Sequence, residues 1–396
     1  MKAVEIKENV YWVGGIDWNL RNFHGYITPR GSTYNAYLII DEKITLIDTV
    51  KQYLFDEMKT RISSIIDPSE IDVIISNHVE MDHSGSLPNI LDIVPDATVI
   101  TSTRGKQGLQ RHYDKDWKFH VVDSGDSLSI GKRTLDFIPI PMVHWPDSMV
   151  TYSKHDKILF PNDAFGQHIA STERFDDLID WGILYEEAAT YYSNIVLPYG
   201  GQVHKALTGV SQLDFDIIAP SHGIIWRTHL NDIISAYKRW ANNETRPYAV
   251  IAYDTMWGST EKLALAFASG LEEEGINVRL RNIHHTPYSE IIADILEARL
   301  IAIGSPTLNN NMLPTVAGFL TYLKGLRPKN RIGFVFGSYG WGGQAVGLIE
   351  KMLDGLSWEF PEKSININYI PKDEDLENIK NTGKNVAKKM NQRRKK

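Results

Sequence analysis

Residues 247–396 alternate strand-like and helix-like segments without a break, and few topologies accommodate that pattern. Apolar runs at 247–253, 277–283, 300–304, 331–336 and 364–370 read as short strands. Segments at 260–274, 289–298, 315–324, 343–353 and 374–390 read as helices, one after each strand. Five strands each followed by a helix imply an open, doubly wound parallel sheet. Such a sheet binds its ligands in loops outside the carboxyl ends of its strands.

The first half has a different texture. Short strand-like runs such as 36–40 and 44–47 mix with helical stretches near 51–66 and 228–241. The polar segment 241–247 ends in Pro247, which blocks helix continuation, so the expected domains are 1–246 and 247–396. With 42% apolar and 23% charged residues the chain has a soluble globular balance. A net charge of −7 gives no reason to expect nucleic acid, and no apolar run reaches the ~20 residues of a membrane span. The first residues show no secretory signal, so the expected location is cytoplasmic. Lys380, Lys384, Lys388, Lys389, Arg393, Arg394, Lys395 and Lys396 form a basic end, expected to stay solvated and complement a helix macrodipole.

The chain contains no cysteine. Disulfides, thiolate zinc sites and cysteine-held iron–sulfur clusters are excluded, and any metal must be held by nitrogen and oxygen. His78-Val79-Glu80-Met81-Asp82-His83 places four such ligands in six residues. It comes directly after the apolar run 71–76, a buried strand expected to deliver these ligands on one loop at the sheet edge. Two imidazoles with two carboxylates suit iron or manganese. The same order, an apolar strand and then a ligand, recurs with 135–140 before His144, 157–160 before Asp163, and 215–219 before His222. Each of these residues alone also reads as a turn former or a core histidine. Four strand ends converging on one edge would gather seven ligands, too many for one tetrahedral ion. They fit two ions sharing Asp163, which stands alone between the histidine groups.

In the second half, Thr255-Met256-Trp257-Gly258-Ser259-Thr260 joins the first strand to a helix start. Its hydroxyls and free N–H groups would cradle a phosphate, and no Gly-Lys-Ser/Thr is present to suggest a nucleoside triphosphate. By itself the loop also reads as an ordinary helix cap. Ser305-Pro306-Thr307-Leu308-Asn309 and Ser338-Tyr339-Gly340-Trp341-Gly342 come after the third and fourth strands.

These residues carry a resemblance. The first cluster is similar to the metallo-β-lactamase fold, whose zinc hydrolases have His-x-His-x-Asp-His, but Glu80 stands where the second histidine would be. With that substitution, with His-Trp-Pro-Asp-Ser at 144–148 and with the second half, nearly the whole chain resembles the flavodiiron proteins, also called A-type flavoproteins. The resemblance implies an α/β protein: an N-terminal metallo-β-lactamase-like αββα domain and a C-terminal flavodoxin-like doubly wound parallel sheet. It implies two iron ions per chain, one held by His78, Glu80 and His144 and the other by Asp82, His83 and His222, with Asp163 bridging. His24 is implied to stand beside that pocket, and the three later loops to hold FMN.

The implied activity is reduction of dioxygen to water, of nitric oxide to nitrous oxide, or of both. The chain looks most similar to the methanogen members that oxidise reduced deazaflavin coenzyme F-420; rubredoxin is the alternative donor. A head-to-tail homodimer, or a dimer of dimers, would bring the flavin of one subunit to the irons of another. Two other readings stay open: a zinc hydrolase with an appended flavin module, and an electron-transfer module with a vestigial metal site.

Overall fold

The structure, a computed structural model, describes residues 1–392; Arg393, Arg394, Lys395 and Lys396 lie outside the described residues. The chain divides into two compact units. The first comprises residues 1–24, 28–192 and 199–238, and the second 25–27, 193–198 and 239–396. The division expected after residue 246 thus compares with a contact boundary after Lys238, and two short early segments group with the later unit.

The first unit is a two-sheet sandwich. One sheet has seven strands in the order Val4–Lys7, Val10–Trp12, Tyr37–Ile39, Thr45–Ile47, Val73–Ile75, Thr98–Ser102 and Phe119–Val122. The other runs Ser127–Ser129, Thr134–Pro139, Met149–Ser153, Ile158–Phe160 and Ile217–Ile218. Successive side chains of a strand point to opposite faces, so an all-apolar strand serves two layers. Val73 and Ile75 meet Phe137, Met149 and Phe160 between the sheets. Ile74 points the other way, into a layer with Met58, Ile62, Ile90 and Leu109 from the helices Phe55–Ile62, Leu87–Ile93 and Thr103–Tyr113. The helices Gly200–Val210 and Leu230–Ala241 supply Val203, Leu207 and Tyr237 against Val150 and Leu159 of the second sheet. The result is the αββα layering.

The second unit is a five-stranded parallel sheet in the order Asn277–Asn282, Arg246–Tyr253, Ala298–Pro306, Ile332–Tyr339 and Ile365–Asn368. The strand order reverses between the first and third strands in sequence, which is the flavodoxin-like arrangement. Helices Ser259–Glu273 and Asp373–Gln392 cover one face, packing Phe267, Leu271, Ile379 and Val386 on Ile251 and Phe334. These two helices approach closely at Gly270 and Gly383: a Cβ on Gly383 would lie 2.6 Å from the Phe267 carbonyl oxygen.

Some elements differ from the sequence reading. The helix expected over 289–298 ends at Ile295, because Ala298 already pairs with Arg246 in the ladder. The strands at Ala298–Pro306 and Ile332–Tyr339 run past 304 and 336, since Ser305 pairs with Gly337 and Pro306 with Ser338. The basic end is not simply solvated, because Lys380 and Lys384 both pair with Glu273 across the two packed helices. Among the described residues no helix is long and apolar enough to cross a membrane.

Candidate functional site

The strand Val73–Ile75 lies inside its sheet, between Thr45–Ile47 and Thr98–Ser102, and its carboxyl end carries the ligand cluster. The segment after this strand is only partly the expected loop. Met81–Ser84 closes a single helical turn with Glu80 as its N-cap, which points Asp82 and His83 inward. His144, Asp163 and His222 come after strands of the other sheet, so the site forms where the carboxyl ends of two sheets meet rather than on one edge.

All seven expected ligands come together in two groups, His78, Glu80, His144 and Asp163, and Asp82, His83 and His222. Within each group the candidate ligand atoms lie within 4.8 Å of one another. Asp163 serves both. Its Oδ2 is 3.1 Å from His144 Nε2 and 3.7 Å from His78 Nε2. Its Oδ1 is 2.9 Å from His83 Nε2 and 3.4 Å from His222 Nε2. Glu80 Oε2 completes the first group, 3.4 Å from His78 Nε2, and Asp82 Oδ2 the second, 3.2 Å from His222 Nε2.

The donor set fits two divalent cations. His78 Nε2, His83 Nε2 and both Asp82 carboxylate oxygens are buried and make no aligned hydrogen bond, although oppositely charged groups stand close to them. Buried polar atoms left unpaired in this way are costly unless something binds them. The electrostatics agree. Burial would raise the Asp163 carboxyl, but the His83 charge and the His144 hydrogen bond outweigh it and hold the group well below its ordinary range. Burial would lower His83, yet the Asp82 and Asp163 charges push it up to about 9. The pocket demands positive charge, which metal binding supplies while releasing the protons.

Outer contacts orient the rings. Asp147 Oδ2 lies 2.8 Å from His78 Nδ1 and also accepts the Val79 N–H at 2.8 Å. His222 Nδ1 is 2.9 Å from the Thr33 carbonyl oxygen. Each contact fixes which nitrogen faces the metal pocket. His83 has the ligand geometry of the others at Nε2, but its Nδ1 has no such partner.

His24 sits at the mouth with Nε2 3.1 Å from Glu80 Oε1 and its side chain 72% exposed. Phe23, Lys51, Tyr53 and Tyr113 line the same cleft of ≈ 580 Å³. Sequence reasoning missed Lys51, whose ammonium stands 4.7 Å from the Tyr34 ring centroid and is lowered by burial against the pull of Asp82, Asp17 and Glu80. It also missed buried His168, whose ring centroid is 4.9 Å from that of His222. Asp48 obeys the strand-then-acid order, after Thr45–Ile47, yet accepts the Asn77 N–H at 2.8 Å instead of joining the ligands.

The three loops of the second unit lie at the carboxyl ends of adjacent strands. Thr255 Oγ1 accepts the Gly258 N–H at 3.1 Å, and Met256 and Trp257 protrude between them. Gly258 takes a left-handed φ of 81° as N-cap of the helix Ser259–Glu273, with nothing within 4 Å of where a Cβ would be. No side chain among the described residues caps that helix, so its first N–H groups stay open to an anion, as a flavin phosphate requires. Besides Thr255, four expected hydroxyls act within the protein, Thr307 Oγ1 by accepting the Ala345 N–H at 3.2 Å. Thr260 Oγ1 meets Ser338 Oγ at 2.9 Å, and Ser305 Oγ accepts the Leu313 N–H at 3.0 Å. Pro306 ends its strand, while Thr307, Leu308 and Asn309 form the turn after it, with Asn309 at a φ of 50°. Tyr339 ends the next strand, and the Gly340-Trp341-Gly342 loop leaves the Trp341 indole 93% exposed.

Residues 33–223 match the ODP family of β-lactamase-like domains, and residues 251–383 match flavodoxin. The nitric oxide reductase of Moorella thermoacetica is 45% identical, over 98% of this chain and 99% of its own. The solved rubredoxin oxygen:oxidoreductase of Desulfovibrio gigas superposes with a TM-score of 0.97 at 40% identity, covering 98% of this chain and 99% of that one. The flavodiiron protein of Giardia intestinalis gives 0.96 at 34%, covering 98% and 97%. The chain belongs to the flavodiiron family. As a flavodiiron protein it is an oxidoreductase with FMN and a non-haem diiron centre. That removes the readings as a zinc hydrolase and as an electron carrier with a vestigial metal site.

Proposed function

We propose that this flavodiiron protein reduces dioxygen to water, with His78, Glu80, Asp82, His83, His144, Asp163 and His222 holding the irons. The observation that carries the reading is Asp163, whose two oxygens face two separate ligand groups. When bound, a diferrous pair and a reduced FMN together supply four electrons, the number that converts one dioxygen and four protons into two waters.

The chain's own residues supply the setting. Glu80 is a carboxylate at a position where a hydrolase of this fold carries imidazole, and the nitrogen–oxygen mixture suits iron. Asp147 and the Thr33 carbonyl hold His78 and His222 in place, and His24 positions Glu80 from the cleft side. The loops at 255–260, 305–309 and 338–342 form the FMN site in this reading, with domains 1–246 and 247–396 dividing the work.

The proposed donor is reduced deazaflavin coenzyme F-420, on the resemblance to the methanogen enzymes, acting in the cytoplasm. Rubredoxin is the alternative, named in the oxygen oxidoreductase that is 40% identical. A homodimer or dimer of dimers, joining the flavin of one protomer to the irons of its partner, belongs to the same proposal. An active, strictly monomeric enzyme in sedimentation analysis would overturn that part.

Nitric oxide reduction is the second reading, favoured by the name of the Moorella relative. Anaerobic stopped-flow mixing with each donor, followed by dioxygen or nitric oxide, tests both choices. Rapid flavin reduction by the deazaflavin and reoxidation by dioxygen is expected. Reduction by rubredoxin alone, or reoxidation by nitric oxide alone, would replace the corresponding half of the proposal.

A further inference from the structure

The second sheet of the first unit carries a small, partly open apolar cavity of ≈ 20 Å³ on its helix-covered face. Its walls include Leu159 from a strand, Val203 and Leu207 from the helix Gly200–Val210, and Tyr237 from the helix Leu230–Ala241. Two further wall residues, Val143 and Ala164, stand immediately before His144 and immediately after Asp163. The cavity therefore backs onto the two segments that deliver the shared carboxylate and one of its imidazole neighbours.

Size and chemistry select the occupant. Roughly 10–15 Å³ is room for the centre of one water-sized molecule, so the space suits a diatomic. A water would need about two to four polar partners there. Among the described residues the one polar side chain in the wall is Tyr237, whose hydroxyl already accepts the Phe165 N–H at 2.7 Å. Apolar cavities of this kind stay dry and take up apolar ligands or xenon. The cleft that contains Glu80 and Asp82, by contrast, is also lined by Lys51, and these charged groups hold water well.

We propose that this cavity binds the apolar gas that the enzyme reduces and feeds it to the ligand segments from behind, independently of the charged cleft. The inference rests on the reading of the protein as a gas reductase. Val143 and Ala164 are its inner wall, and small rotamer motions of the kind buried side chains undergo pass the gas onward.

Crystals of the holoprotein pressurised with xenon test the pocket without turnover; xenon in the cavity is expected, and a cavity free of xenon overturns the proposal. In solution, xenon pressure should raise the KM for the gas while leaving kcat unchanged. Ala206→Leu, at another residue of the cavity wall, or Val203→Phe, each filling the space, should displace xenon and raise that KM by at least about threefold at constant kcat, iron and flavin content. Displaced xenon with an unchanged KM also overturns it. KM is measured with dioxygen and with nitric oxide. An enzyme that turns over only nitric oxide corrects the proposed substrate, and the pocket is then tested with that gas.

Discussion

The Asp147 carboxylate lies 2.8 Å from Nδ1 of His78, a residue 69 positions earlier, and accepts the Val79 N–H with the same oxygen. That single oxygen sets both the ring and the backbone of this proposed ligand. Burial would raise Asp147, but its contacts with His78 and Val79 hold it below its ordinary range. Asp147→Asn keeps the shape but removes the negative charge that strengthens the bond from the ring N–H. Iron affinity should fall by about 10- to 100-fold with the fold intact. Chelator competition followed by metal analysis measures it.

In the proposed site Glu80 is the residue expected to set the metal preference. Glu80→His restores a three-imidazole set in the neighbourhood of His78 and His144, which suits zinc better than iron. Protein produced with equal iron and zinc should carry mainly zinc, with flavin content unchanged. Stoichiometric iron in the variant would show that Glu80 does not decide the metal.

Glu187 gives the first unit a pH-dependent cost. Burial pushes its carboxyl up to about 7 despite an Arg30 hydrogen bond at 2.9 Å, against an ordinary value of 4.5. Between those values the folded protein keeps a proton that the unfolded chain has lost, so stability falls as pH rises through that window and is level above it. Glu187→Gln should remove that decline, worth on the order of 1–3 kcal/mol. Denaturant midpoints at pH 5 and pH 8, compared between the two proteins, give the difference; parallel pH profiles would contradict it.

Gly383 lets the last helix touch the one that begins at the proposed phosphate loop. A Gly383→Val side chain would strike the Phe267 carbonyl and push the helices apart, costing about 1–3 kcal/mol. The variant should melt earlier and lose flavin on desalting, while its iron content stays at the original level. Thermal melts and the flavin absorbance of the desalted protein report both.

The alternating second half was legible because each strand ends in turn residues and each helix is long enough for its period to show. The clustering of the proposed metal ligands was legible because each comes after an apolar strand. Asp147 and the Thr33 carbonyl were not, since their roles arise only when distant segments fold together. Nor was the turn Met81–Ser84, which is too short to carry a periodic signal. Sequence alone also placed Ser305 and Ser338 in loops, whereas parallel pairing with Gly337 and Pro306 draws them into the ladder. The joining of two sheets at one metal pocket is a property of the sandwich, invisible in any single strand.

Dioxygen consumption against donor oxidation, on a sample whose iron and flavin are counted, tests the central claim most directly. The account predicts two irons and one FMN per chain, two reduced deazaflavins oxidised per dioxygen, and no accumulated peroxide. One donor oxidised per dioxygen with stoichiometric hydrogen peroxide, or zinc in place of the iron pair, would contradict it.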